Sequence, residues 1–99
     1  MAAFNAIAVA ATGTTVTSGA ASASVAIPNA ADGNRARFVR IQATGLAHVK
    51  PGGSGVACTA DDMMVSAGES VILSVKPFTH IAYLEESAGA KLTITPVEF

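Results

Sequence analysis

The sequence predicts an all-β fold, a single antiparallel β-sandwich or jelly roll of about eight short strands. Three observations predict it. Apolar residues recur with a period of two along most of the chain, where a helix would need 3.6. Turn-forming Gly, Pro, Asn and Asp punctuate that alternation roughly every 8–12 residues. The chain has 99 residues, enough for one domain with one modest core.

The elements follow in order. "FNAIAVA" (4–10) alternates, with Ile7 and Val9 on one face, and "TTVTS" (14–18) follows the turn-prone "ATG". "SASVAIP" (22–28) places Ala23, Val25 and Ile27 on one face and stops at Pro28. "PNAADGN" is a loop, because Asn, Asp and Gly supply turn geometry. "ARFVRIQA" (36–43) is the clearest strand, with Val39, Ile41 and Ala43 inward and Phe38, Arg40 and Gln42 toward water or a partner.

"GLAHVK" (45–50) reads as the next strand, with Ala47 and Val49 inward and His48 and Lys50 outward. "PGGSG" (51–55) is a hairpin turn and "VACT" a short strand. After the corner "ADDMMVSAGE", the strand "SVILSV" (70–75) puts Val71, Leu73 and Val75 on one face. Pro77 and Phe78 bend the chain into "THIAYLEE" (79–86), with Ile81 and Tyr83 inward. "SAGA" turns it into "KLTITPVEF", with Leu92 and Ile94 inward. Residues 1–99 form one domain, and the alanine-rich residues 1–23 suit an extended N-terminal arm as well as core strands.

Composition bears on partners. The chain is 51% hydrophobic, 5% aromatic and 13% charged, against about 25% charged in an average domain. Small side chains make a thin core, and a surface poor in charge favours association because few charges need desolvation. A subunit of something larger fits this better than an ordinary Thr/Ser/Gly-coated domain, and a homo-oligomer is expected. A net charge of −1 gives no basis for nucleic-acid binding, and Arg35, Arg37 and Arg40 come without an aromatic platform. No run of about 18 apolar residues exists, so no membrane helix is expected. The apolar start lacks a basic leader and reads as mature structure.

The stretch "ACTADDMMVSAGESVILSV" (57–75) concentrates the reactive side chains: Cys58, Asp61, Asp62 and Glu69, with His48 and His80 elsewhere. Metal binding would need converging ligands, yet there is no CxxC, HxH or HxxxH spacing, nor an EF-hand loop. Neither a metal nor a cofactor is expected. A thiol nucleophile would need His48 or His80 within hydrogen-bond reach, which nothing in the spacing demands. Cys58 therefore reads as a small buried hydrophobe, Asp61 and Asp62 as turn caps, and the protein as no enzyme. Alternation would send one of Met63 and Met64 into the core and the other outward as a soft contact, Met64 being the interface candidate; core packing of both is the alternative. Phe4, Phe38, Arg40, Met64 and Phe99 are the candidate interface residues, the terminal aromatics as anchors in a neighbouring subunit.

Over residues 36–96 the order "RFVRIQATGLAHVKPG", "GVACTADDMMVSAGESVILSV", "THIAYLEESAGAKLTITP" resembles small β-sandwich structural proteins of tailed bacteriophage virions. The shared features are a "YVRV"-like strand, a "D-M-x-V/I-x-A-G" corner, "V-x-L-x-V", "H-I-A-x-L" and a final "L-x-I-T-P". The resemblance implies a capsid decoration or cement protein made in the host cytoplasm and bound to the major capsid protein at the virion surface. Its action would be binding alone, bridging neighbouring shell subunits. The alternatives are a tail, collar or fibre-associated β-domain and, in other classes, a carbohydrate-binding module or a small Cys-dependent enzyme.

Overall fold

The structure, a computed structural model, describes residues 8–9, 13–30 and 33–98. These form nine strands and no helix: β1 (Ala8–Val9), β2 (Thr14–Thr17), β3 (Ala23–Ala26), β4 (Phe38–Ala43), β5 (Ala47–Gly52), β6 (Met63–Val65), β7 (Ser70–Ser74), β8 (His80–Glu85) and β9 (Lys91–Glu98). β1 and β2 lie end to end on the same edge of β9, so the nine segments fill eight strand positions.

Two antiparallel sheets result, β1/β2–β9–β4–β7 and β3–β8–β5–β6. The pairings nest: β2 with β9, β3 with β8, β4 with β7, and β5 with β6. That is one long antiparallel hairpin, rolled until β4 also meets β9 and β5 meets β8. The result is the strand order of a jelly roll, with β1/β2, β7, β3 and β6 as the edge strands of its two sheets.

The alternation read from the sequence sets the core. Val39, Ile41, Leu92 and Ile94 from one sheet meet Ala47, Val49, Val65 and Ile81 from the other, all essentially sealed from solvent. Val25, Ile27, Val71, Leu73 and Tyr83 pack around this cluster. Ser18, buried at the end of β2, is satisfied by donating its hydroxyl to the Ala90 carbonyl at 2.8 Å.

Residues 14–17 pair in register with Lys91–Ile94 and form a sheet edge, as the alternation of "TTVTS" predicts. Three expectations need correction. "VACT" is not a strand: it crosses the outer face of the β3–β8–β5–β6 sheet, and the Cys58 amide donates to Ser22 Oγ at 2.7 Å, outside any ladder. Ala23 is exposed although it shares a row with Tyr83 and Val49, because β3 is the edge strand of its sheet. Finally, neither methionine enters the core: Met63 is 43% and Met64 47% exposed. Met63 has the inward parity of its partner Val49, but β6 is a three-residue edge strand with nothing packed beyond it.

Candidate functional site

The reactive cluster resolves into a structural clasp. The β5–β6 connection folds back over the outer face of its own sheet, from the turn at residues 53–55 to Asp62. Its own Cys58 is buried, and so are Ala82 and His48 of that face, although both have outward parity on β8 and β5. His48 was expected on an exposed face and is only 5% exposed, because this connection covers it. Its Nδ1–H donates to the Asp62 carbonyl at 3.0 Å and its Nε2–H to Glu86 Oε1 at 2.9 Å. Both partners accept only, so the ring holds both protons in this arrangement. The Glu86 carboxylate first, then the Asp62 carbonyl, raise the imidazole pKa above its ordinary value.

Asp62 also caps the corner, as expected. Its Oδ2 accepts from the Thr59 amide at 2.7 Å and the Thr59 hydroxyl at 3.2 Å. The amide bond is the main reason its carboxyl sits below the usual range. Asp61 does not share that role; its amide donates to Thr59 Oγ1 at 3.3 Å. Burial, and then the charge of Asp62, push the Cys58 thiol up to about 11. Roughly one thiol in ten thousand is ionised at pH 7, which makes Cys58 a poor nucleophile. His80 lies apart, sharing a 2.8 Å hydrogen bond with the Thr79 hydroxyl. Among the described residues no three His, Cys, Asp or Glu side chains converge as a metal site would require.

Two surfaces remain. The first is the outer face of the β1/β2–β9–β4–β7 sheet, left uncovered over its middle. Register lines up Thr15, Thr93, Gln42 and Ser70 in one exposed row, and half-buried Thr95 with exposed Arg40 and Ile72 in the next. Arg40 and, at the rim, Lys91 are the charged residues that the pairing of described strands places there. Ile72 is 41% exposed beside Arg40. Phe38 belongs to the same face, half-buried in a row with Val97 and Ser74. Of the expected interface residues, Phe38 and Arg40 thus share this face. Met64 stands on the other sheet, in register with His48, and Phe4 and Phe99 lie outside the described residues.

The second surface is an open cleft of about 550 Å³ at the end of the sandwich where β4 begins and β9 finishes. It is lined by Asn34, Arg35, Arg37, Lys76, Pro77 and Glu98. Sequence reasoning grouped Arg35 and Arg37 with Arg40; the fold separates Arg40 onto the sheet face and supplies Lys76 from the β7–β8 turn. No local pattern signals that, since Lys76 and Arg37 meet only because the Val75 amide bonds to the Arg37 carbonyl at 2.9 Å. Against this geometry, no protein-family model, curated protein or solved structure matches the chain.

Proposed function

We propose that this chain is a structural subunit of a tailed-phage virion, a capsid decoration or cement protein that binds the major capsid shell and bridges its subunits. The observation that carries the reading is the open outer face of the β1/β2–β9–β4–β7 sheet. Its exposed middle is Thr, Gln and Ser with Ile72 and one guanidinium, so covering it removes few charges from water. Strand spacing and rise give such a face roughly 400 Å². That is about half of one partner's share of an ordinary stable interface. A contact of this size is weak alone and becomes firm when many copies bind one lattice together. The jelly-roll architecture also occurs in viral shell proteins, which agrees with the reading only at the level of fold.

Separating heads from tails of the encoding phage and quantifying the chain in each by mass spectrometry tests the assignment. The expected result is many copies per head. Recovery with tails would move the chain to a tail or collar role, and its absence from virions would end the proposal.

A further inference from the structure

We propose that the cleft between Arg35, Arg37 and Lys76 is a docking site for an acidic polypeptide segment of a neighbouring protein. Three of the six Lys and Arg residues line this one cleft, with Glu98 as the opposing charge. Formally the cleft carries +2, whereas the whole chain is −1, so everything outside it sums to −3. No ion pair of Arg35, Arg37 or Lys76 is found among the described residues; the pairs present are His48–Glu86 and Lys50–Asp62. Three cations gathered in a recess against the single carboxylate of Glu98 leave forks and ammonium for external oxygens, and they focus a positive potential there.

The walls are fixed before any ligand arrives. Ala36, 1% exposed, anchors the chain between the two arginines. The Ala30 amide bonds to the Asn34 carbonyl at 2.8 Å and the Gly33 amide to the Ala30 carbonyl at 2.9 Å. Gly33 closes that turn at φ 83°, a conformation that disfavours any side chain. The Val75–Arg37 backbone bond holds the opposite wall. The backbone that carries the two guanidiniums is thus set, and their planar forks match carboxylate oxygens in pairs.

The chemistry of the cleft favours carboxylates on a peptide over phosphates on a nucleic acid. Among the described residues that line it there is no aromatic ring on which a base could stack. Glu98 opposes a densely charged phosphate chain but accepts hydrogen bonds from backbone amides. The volume lies within the range of sites that hold small ligands or short segments. The inference stands on the cleft alone and does not rest on the capsid reading.

The test is fluorescence anisotropy with a labelled, end-capped hexaglutamate at low ionic strength. Expected are saturable binding that weakens as salt is added, at least a tenfold loss in Arg35→Ala/Arg37→Ala, and no change in Lys91→Ala. Unlabelled hexaglutamate should compete better than tripolyphosphate or an oligothymidylate. The variant side chains are exposed, and circular dichroism verifies their fold. Absence of binding, equal binding by the double variant, equal loss in Lys91→Ala, or stronger competition by either phosphate ligand would each overturn the proposal.

Discussion

The imidazole of His48 on β5 lies 2.9 Å from a carboxylate oxygen of Glu86, the residue that follows β8. With the Asp62 carbonyl on its other nitrogen, the ring ties the start of the β8–β9 turn to the loop that covers the sheet. One buried side chain thus fixes two connections that the β-ladders leave free.

This clasp makes stability depend on pH with a definite sign. Folding raises the His48 pKa, so the folded chain holds this proton more tightly than the unfolded one. The added stability is complete below the unfolded value of about 6.5 and is lost as pH rises through the folded value. Urea midpoints should therefore fall between pH 5.5 and 8.5 in the parent. His48→Gln should lose about 1–3 kcal/mol at pH 5.5 and show a flatter profile. A parent profile parallel to that of His48→Gln would remove the clasp from the account.

Cys58 should resist alkylation in the folded protein and react freely in urea, because its thiol is buried and shifted up to about 11. Gly52→Ala should expose it. A Cβ at Gly52 would stand 2.6 Å from Val56 Cγ2, and Val56 begins the segment that carries Cys58. Overpacking of this kind costs about 1–3 kcal/mol. Iodoacetamide labelling followed by mass spectrometry should show the variant reacting faster at pH 8; equal rates would mean that the loop absorbs the clash.

Ile94 and Ile72 offer a paired comparison. Ile94 is fully buried between the sheets, and Ile94→Ala should cost about 2–5 kcal/mol in chemical denaturation. Ile72 faces outward on β7, and Ile72→Thr should stay within about 0.5 kcal/mol. A large cost at Ile72 would show that this face is packed within the single chain.

Strands at the centre of the sheets were legible from alternation alone. Val39, Ile41 and Ala43, or Leu92 and Ile94, have only one buried face to occupy, and period two identifies it. The misread residues are those whose surroundings come from distant segments. His48 has outward parity, and only the return of residues 56–62 buries it. Met63 has inward parity, yet a three-residue edge strand leaves it exposed. Phe38 and Arg40 share the open face, as alternation predicts, because their parity is local. Lys76 joins Arg35 and Arg37 only through the packing of two loops, which no spacing in the sequence encodes.

The proposed capsid role puts the shell contact on the face bearing Ile72. Capsids of the encoding phage, prepared without the chain, can be mixed with purified parent or Ile72→Arg protein and pelleted. Saturable co-pelleting of the parent is expected, with a loss of at least tenfold for Ile72→Arg and its fold intact by circular dichroism. A parent that stays in the supernatant, or an Ile72→Arg variant that pellets equally well, would contradict it.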